Sequence, residues 1–247
     1  MATIYEHKIL IDSRDVDGRG YCKASALLGH LQEAATQAAE EGGFTRQALL
    51  ERYNGFWMLT RMWFHLDRPL KWEEEVTIRT WHRGGRRATL YRDYDLYVDG
   101  QRVGEGVSAW VLADLNTRKL LRLDQVKEME DTDGGDCAKT RTLSKLRRPP
   151  ELTEAELRPM RYSDTDINGH VNNTRYADFI CDAMEMDRLA GDAFVEEMQI
   201  GYLAECRPGE VLSLCTAPAE TGFFVYGLDK EGKTRFESTV IFGKDLP

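Results

Sequence analysis

The hydrophobic pattern of the chain contains two helical stripes, each followed by segments of strand character. After Asn173, apolar side chains recur at the spacing of a helix with one buried face. The members of this stripe are Tyr176, Phe179, Ile180, Ala183 and Met184. An earlier stripe consists of Leu27, Leu31, Ala34, Ala35 and Ala38. We predict that Gly42-Gly43 ends the first helix, that Gly191 ends the second, and that Asn172 or Asn173 caps the start of the second.

Strand patterns follow both helices and repeat one plan. Apolar and polar positions predict strands at residues 92–98, 107–112, 198–203, 223–228 and 239–242. Asp99-Gly100 and Glu231-Gly232 lie between consecutive strands, and Asp-Gly in particular is a strong hairpin signal. Each half is therefore predicted to be one helix and several antiparallel strands. The fold class is α+β, with each helix burying its apolar stripe against its own sheet.

The two halves also share a polar motif. Residues 164–173 read Asp-Thr-Asp-Ile-Asn-Gly-His-Val-Asn-Asn, and residues 15–20 carry the same D-x-D-x-x-G frame, 149 positions earlier. In the earlier copy, Arg19 stands in place of Asn168 and Tyr21 in place of His170. We infer a duplicated scaffold with one working site. Because the first copy keeps the turn-forming residues, turn formation does not account for the asparagine and the histidine.

The repeat also predicts the domain organisation. We expect an N-terminal domain at 1–130, a connector at 131–152 and a C-terminal domain at 153–247. The connector contains Asp-Thr-Asp-Gly-Gly-Asp, a basic stretch at 139–148 and Pro149-Pro150, all typical of a linker.

Composition excludes several classes of protein. A net charge of −9 argues against general binding to nucleic acids or anionic membranes, and no apolar run is long enough to span a membrane. The first fifteen residues lack the basic and apolar regions of a secretion signal, so we expect a cytoplasmic protein. The five cysteines are scattered and form no C-x-x-C pair, which favours reduced thiols over disulfides or a metal site.

The polar motif has a plausible chemical role beside a helix start. Backbone N–H groups that open a helix stabilise a developing oxyanion, and a histidine with a carboxylate suits acyl transfer or hydrolysis. Glu205 supplies a second carboxylate, and matching the two Arg-Pro pairs places Leu66 opposite it in the first half. Two plainer readings remain open: the motif is only a turn and helix cap, and Glu205 is an exposed charge at a strand end.

Cys206 provides a competing nucleophile. With His170 as base and Asn168 as orienting group, it would form a papain-like set. A lone reduced cysteine is more often a small core residue, so we rank Cys206 below the carboxylates. The sequence has no Gly-rich phosphate loop, no G-x-S-x-G elbow and no H-E-x-x-H helix.

Taken together, these residues resemble the acyl-acyl carrier protein thioesterases. The matching positions are Asp166, Asn168, His170, Val171, Asn172, Asn173, Tyr176 and Glu205-Cys206. The resemblance covers essentially the whole chain, including the degenerate first motif. It implies two tandem hotdog domains, each a long helix wrapped by an antiparallel sheet. It also implies hydrolysis of the thioester between a fatty acyl chain and the phosphopantetheine of an acyl carrier protein, with no metal or organic cofactor.

The resemblance also assigns roles and leaves alternatives. It implies that Asp166, Asn168, His170 and Glu205 are the catalytic set, and that Cys206 matches a position once assigned as nucleophile. The missing plastid transit peptide suggests a bacterial member. A hotdog acyl-CoA thioesterase, a hotdog dehydratase and an acyl-binding protein without turnover are the alternatives. Chain-length preference is not readable, and the sequence leaves open whether the chain forms a homodimer.

Two further expectations concern the substrate. All five tryptophans lie in the first half, which keeps the scaffold without the polar trio, so we expect that half to supply the acyl-chain pocket. Carrier proteins are strongly acidic, so docking should need a local basic patch. The candidates are Arg83, Arg86, Arg87 and residues 139–148.

Overall fold

The computed structural model describes residues 4–86, 88–122, 141–189 and 191–245. The α+β class is confirmed, because three α-helices and ten strands account for most of the described residues. The chain divides into two compact units. The first comprises Met1–Leu10, Gly29–Met62 and Glu74–Leu143, and the second comprises Ile11–Leu28, Trp63–Glu73 and Ser144–Pro247. The sequence-based domain boundaries remain a prediction, and residues 131–140 of the expected connector lie outside the described residues.

The described residues of the first half form two α-helices and five strands. The helices are α1 (Ala24–Glu41) and α2 (Arg46–Tyr53). The strands are β1 (Tyr5–Leu10), β2 (Gly55–Leu66), β3 (Glu75–Arg86), β4 (Thr89–Val98) and β5 (Gln101–Asp114). Their order is β1-β3-β4-β5-β2, with antiparallel pairing from β1 through β5. The sequence analysis predicted β4 and β5 but not β1, β2, β3 or α2.

Helix α1 follows its predicted apolar stripe. Leu27 and Leu31 are buried, and burial of each such side chain contributes about 1.5–3 kcal/mol. The expected stop at Gly42-Gly43 is confirmed, since Gly43 has a φ of 80° and the Phe44 amide donates back to the Ala39 carbonyl at 2.8 Å. The hairpin at Asp99-Gly100 is confirmed as well. Both residues have positive φ, 50° and 75°, as a two-residue hairpin turn requires.

The described residues of the second half form one α-helix and five strands. The helix is α3 (Arg175–Ala183). The strands are β6 (Thr153–Pro159), β7 (Ala193–Tyr202), β8 (Val211–Pro218), β9 (Phe223–Leu228) and β10 (Thr234–Lys244). Their order is β7-β10-β9-β8-β6, and neighbours pair antiparallel. Tyr176 on α3 packs edge-on against Phe236 and Tyr202, with centroids 5.1 and 5.6 Å apart, so the helix is fixed on this sheet.

Helix α3 ends where its apolar stripe ends, well before the stop predicted at Gly191. It ends at Ala183, and Glu185 adopts a left-handed conformation with a φ of 51°. The predicted stop at Gly191 was therefore wrong. A positive-φ residue other than glycine ends this helix, and no sequence signal marked it.

Strand β7 is covered on the face that carries Gln199 and Gly201. The Gln199 side chain donates to the Ser144 carbonyl at 3.1 Å, and Gln199 is buried. Nearby, the Leu146 amide donates to the buried Glu237 carboxylate at 2.8 Å. Residues 144–146 therefore lie along this face of the sheet, which explains why alternation in β7 does not correspond to exposure.

No helix within the described parts of the chain has both the length and the apolar character needed to cross a membrane.

Candidate functional site

A tight turn presents the polar motif of the second half. The Asp166 amide donates to the His170 carbonyl at 2.9 Å, and the Gly169 amide donates to the Asp166 carbonyl at 3.0 Å. Gly169 has a φ of 73°, a conformation that glycine adopts without steric cost. An isolated bridge between Thr165 and Val171 closes the turn at its base. The backbone of the turn therefore fixes the position from which the His170 side chain projects.

The first copy of the motif has the same backbone geometry. The Asp17 amide donates to the Tyr21 carbonyl at 2.9 Å, and the Gly20 amide donates to the Asp17 carbonyl at 3.0 Å. Gly20 has a φ of 79°, and a bridge between Val16 and Cys22 closes this turn too. The turn therefore forms with tyrosine in place of histidine, as the sequence comparison predicted.

The first aspartate of each motif caps the turn before it. Asp164 accepts a hydrogen bond from the Arg161 amide at 2.8 Å, and Asp15 accepts one from the Asp12 amide at 3.1 Å. Asp164 is buried, and Arg175 lies 3.6 Å from its carboxylate. This aspartate therefore has a structural role in both halves.

The second aspartate holds the turn through its side chain. Asp166 Oδ1 accepts from the Asn168 amide at 2.8 Å, and the Asn168 side-chain amide lies 3.5 Å from Asp166 Oδ2. In the first copy, Asp17 Oδ1 accepts from the Arg19 amide at the same distance, 2.8 Å. The carboxylate at this position thus supports the turn whether or not the asparagine and histidine are present.

His170 and Glu205 meet across the site. His170 Nε2 lies 3.2 Å from Glu205 Oε2, within hydrogen-bonding range. The histidine side chain is 18% exposed and the glutamate side chain 42% exposed, so solvent reaches the pair. The Val171 amide donates to the Cys206 carbonyl at 2.9 Å, which joins the residues that directly follow His170 and Glu205. One backbone hydrogen bond therefore brings the two side chains together.

The first half contains the equivalent of this backbone bond. The Cys22 amide donates to the Leu70 carbonyl at 2.8 Å, and Cys22 follows Tyr21 as Val171 follows His170. Leu70 is therefore the counterpart of Cys206, and Pro69 is the counterpart of Glu205.

The expectation that Leu66 lies opposite Glu205 was therefore wrong. It rested on matching two Arg-Pro pairs, which the folded chain does not superimpose. Two positive φ angles support the revised register. Glu73 (φ 68°) lies four positions after Pro69, and Gly209 (φ 88°) lies four positions after Glu205. The inference that only the second half has a carboxylate here is unchanged.

Cys206 is a fully buried core residue. Burial raises the pKa of its thiol above the ordinary value, and a hydrogen bond with Tyr176 offsets part of that increase. Because the thiolate rather than the thiol is the nucleophile, this environment disfavours nucleophilic attack by the sulfur.

The start of α3 has its own polar contacts. Asn172 Oδ1 accepts from both the amide and the hydroxyl of Thr174, each at 2.9 Å. The N-cap of α3 is Thr174, whose side chain makes no capping hydrogen bond, so the prediction that Asn172 or Asn173 is the cap was wrong. The Tyr202 hydroxyl donates to the Asn173 carbonyl at 3.1 Å. Because the Thr174 amide already donates to Asn172 Oδ1, it is not available to bind an oxyanion.

Arg235 also contacts the site, and sequence reasoning missed it. Its guanidinium donates to the Glu205 carbonyl at 2.7 Å. Nothing in the local sequence marks this arginine, because it lies in the strand after the second hairpin and has no motif around it.

Among the residues that the structure describes, no three His, Cys, Asp or Glu side chains are grouped so that they could hold a metal ion.

Family models match both halves of the chain. Residues 2–129 match the model described as the acyl-ACP thioesterase N-terminal domain, and residues 147–240 match the acyl-ACP thioesterase C-terminal domain. The chain is 24% identical over 234 residues to the chloroplastic oleoyl-acyl carrier protein thioesterase of Coriandrum sativum. It is 27% identical over 236 residues to the chloroplastic palmitoyl-acyl carrier protein thioesterase of Arabidopsis thaliana.

These alignments cover 87% of this chain but only 62% and 55% of the two plant proteins. The chain thus spans less than two thirds of the length of these curated relatives.

Solved structures are similar over nearly the full length. The crystal structure of an acyl-ACP thioesterase from Bacteroides thetaiotaomicron matches with a TM-score of 0.78 and 26% identity, covering 97% of this chain and 98% of the other. The 12:0-ACP thioesterase of Umbellularia californica matches with a TM-score of 0.79, covering 98% and 97%; at 19% identity this likeness concerns the fold alone. The hotdog fold expected from the sequence is confirmed.

Proposed function

The chain belongs to the acyl-ACP thioesterase family, and from that premise we propose that it hydrolyses the thioester of a fatty acyl-acyl carrier protein. The products are a free fatty acid and the carrier's thiol, so the reaction ends chain elongation. The observation that carries the proposal is the contact between His170 Nε2 and Glu205 Oε2 at 3.2 Å. This contact places the His170 imidazole, which can act as an acid or a base, beside the solvent-accessible Glu205 carboxylate and the polar turn at 164–170.

In the proposed mechanism, Glu205 and His170 act as one proton-transfer unit. Glu205 accepts a proton from a water molecule as the water oxygen attacks the thioester carbonyl. The tetrahedral oxyanion then collapses, the C–S bond breaks, and the proton passes through His170 to the departing sulfur. Atoms and charge balance with water as the only co-reactant.

Asn168 and Asp166 have separate roles in this scheme. The exposed Asn168 side chain donates its amide to the carbonyl oxygen of the thioester as charge develops there. Asp166 positions Asn168, because its carboxylate accepts from the Asn168 backbone amide at 2.8 Å. The same contact in the first copy, between Asp17 and Arg19, supports a positioning role over a nucleophilic one.

Cys206 is not the nucleophile in this proposal. Its full burial, its hydrogen bond with Tyr176 and the raised pKa of its thiol all favour a packing role. Glu205 has the exposure that a group reacting with water needs.

We propose that the partner is an acidic acyl carrier protein, which docks on a local basic patch. Arg83 does not suit this role, because it lies 3.3 Å from the Asp93 carboxylate and donates to the Arg141 carbonyl at 2.8 Å. The side chains of Arg86 and Arg87 and residues 139–140 lie outside the described residues. Of the basic stretch, Lys145, Arg147 and Arg148 are exposed. We select the two adjacent arginines as docking residues; Arg148 also donates to the Gly232 carbonyl, at the long distance of 3.4 Å, and neither arginine has a carboxylate partner among the ion pairs of the described residues.

In this proposal the N-terminal domain supplies the pocket for the acyl chain. Trp57 packs against the buried pair Leu49 and Leu112, within an apolar cluster of the first unit. Trp57→Ala should therefore change the relative rates on acyl chains of different lengths more than a matched change at Phe224 does.

We also propose that the reaction takes place in a reducing cytoplasm. The cysteines that the structure describes, at positions 22, 181, 206 and 215, are all free thiols.

The test of the function is thiol release from acyl carrier thioesters of several chain lengths, with the same acyl groups on coenzyme A in parallel. A kcat/KM that is at least tenfold higher on the carrier supports the proposal. Equal rates on both carriers favour the acyl-CoA thioesterase alternative. Binding of acyl chains without thiol release favours a binding protein. Formation of an unsaturated acyl product would indicate a dehydratase.

The docking residues are tested by charge reversal. Arg147→Glu with Arg148→Glu should raise KM for the carrier substrate and weaken its salt dependence, because exposed charges steer association. Hydrolysis of a short acyl-CoA should not change. Equal loss on both substrates would contradict the docking role.

A further inference from the structure

Arg235, near the start of β10, binds three acceptors around the loop that carries Glu205. Its guanidinium donates to the Glu205 carbonyl at 2.7 Å, to Glu210 Oε1 at 2.8 Å and to Asp229 Oδ2 at 3.0 Å. The arginine side chain is 22% exposed, so most of it is shielded from water. The planar guanidinium thus satisfies three groups at once, in a fork that lysine cannot reproduce.

The backbone of Arg235 holds the same loop from its other end. The Arg235 carbonyl accepts from the Leu203 amide at 2.9 Å and from the Ala204 amide at 3.1 Å. The two residues before Glu205 are therefore bound to the backbone of Arg235, and Glu205 itself is bound to its side chain. A single residue fixes three consecutive positions.

Glu210 extends this hold to the far end of the loop. Its Oε2 accepts from the Arg207 amide at 2.6 Å, and its amide donates to the Arg207 carbonyl at 3.1 Å. Because the other oxygen of Glu210 bonds to Arg235, the carboxylate bridges the arginine and the turn. The loop from Leu203 to Glu210 is therefore anchored through Arg235 at its start, its middle and its end.

We propose that Arg235 is a positioning residue that holds the Glu205 carboxylate within reach of His170. This inference rests on the proposed function for its catalytic consequence. Glu205 is itself an exposed side chain on a loop, and its 3.2 Å contact with His170 depends on where the loop backbone lies. A displacement of about 1 Å can lower a catalytic rate by about a hundredfold.

The experiment compares Arg235→Lys and Arg235→Gln with a control, Lys233→Ala. Lys233 lies on the same hairpin, is 75% exposed and pairs through its side chain with the exposed Glu231, so its loss should be nearly neutral. The first readout is the nitrogen NMR spectrum of the His170 ring, with Glu205→Gln as reference. We expect both Arg235 variants to shift the His170 signals in the direction seen in Glu205→Gln, while Lys233→Ala leaves them in place.

The second readout is a double-mutant cycle on thioester hydrolysis. Arg235→Lys should lower kcat about tenfold or more and leave KM within about twofold. In the Glu205→Gln background the same change should have no further effect, because the group that Arg235 positions is already lost. A role in stability alone would lower the rate by the same factor in both backgrounds, and that result would overturn the inference.

The two readouts separate this inference from the proposed function. Unchanged His170 signals in the Arg235 variants overturn the positioning role, whatever the activity. Shifted His170 signals support the positioning role even if Glu205→Gln retains full hydrolysis, in which case it is the catalytic assignment of Glu205 that fails. Thermal unfolding of each variant identifies those that do not fold, and Arg235→Lys keeps the charge if Arg235→Gln is unstable.

Discussion

The Val171 amide donates to the Cys206 carbonyl at 2.9 Å, and this bond joins the motif turn to the loop after β7. Each partner directly follows a residue of the proposed proton-transfer pair, so a backbone contact determines where the His170 and Glu205 side chains meet. The first half retains the same bond, between Cys22 and Leu70. The duplicated scaffold thus preserves the means of bringing two side chains together, and only the second half has reactive groups at both positions.

The two halves should therefore respond differently to matched substitutions. We expect His170→Ala to lower kcat by about a hundredfold or more, as is typical for loss of an acid–base group. Tyr21→Phe removes only the hydroxyl that donates to Asp245 at 2.9 Å, so it should cost about 0.5–1.5 kcal/mol of stability and leave kcat unchanged. Steady-state kinetics and urea unfolding measure the two effects. Near-normal turnover in His170→Ala would contradict the site assignment.

Asp166→Asn separates positioning from nucleophilic attack. An asparagine Oδ1 can still accept from the Asn168 amide, so the turn should persist. If Asp166 only positions Asn168, kcat should stay within about tenfold of the wild-type value, whereas Asp166→Ala should lower it further. Loss of about a thousandfold or more in Asp166→Asn, with a normal unfolding midpoint, would instead indicate a nucleophilic carboxylate.

Cys206→Ala should keep a measurable fraction of activity, and Glu205→Gln should lose far more. The Cys206 thiol is buried and its pKa is raised, so iodoacetamide should inactivate the protein slowly, at a rate limited by local opening. Cys206→Ala also removes the hydrogen bond with Tyr176, so a modest loss of stability should accompany it. The reverse ranking of the two variants would restore the papain-like scheme.

The sequence was most informative where one local pattern determines the structure. The stripe of α1, the hairpin at Asp99-Gly100 and the D-x-D-x-x-G turn were all predicted, because periodicity and turn residues act over a few positions. The end of α3 at Ala183, before the left-handed Glu185, and the correspondence of Glu205 with Pro69 were missed. The first depends on an uncommon left-handed glutamate, and the second on backbone bonds between distant segments, which no dipeptide match reveals.

Arg235 was missed for a related reason. Its contacts reach Glu205, Glu210 and Asp229, so its role exists only in the folded chain. From the sequence alone it is one of many charged residues in a hairpin. Residues that support a site through tertiary contacts carry no local signature, whereas those in the site's own turn do.

We expect the buried Asp93, which lies in the first unit, to make the stability of the protein depend on pH. It is fully buried on β4, and burial raises the pKa of its carboxyl from the ordinary 3.8 to about 7, although Arg83 lies 3.3 Å away and opposes the change. Asp95 and Glu105 add to the increase, and Arg92 opposes it. Because the Asp93 carboxyl has a higher pKa in the folded state than in the unfolded state, the folded state keeps a proton there at pH values at which the unfolded state has lost it.

The contribution of Asp93 to stability is therefore fully present below about pH 4 and is lost as the pH rises through about 7. Asp93→Asn removes this titration while it keeps the shape of the side chain. We expect the free energy of unfolding of the variant, relative to the wild type, to rise between pH 5 and pH 8, as measured by urea unfolding at each pH. Glu40→Gln, which replaces an exposed carboxylate on α1, serves as the control and should show no such trend. A difference between Asp93→Asn and wild type that stays constant or falls across this range would show that the Arg83 pair, rather than burial, governs the ionisation of Asp93.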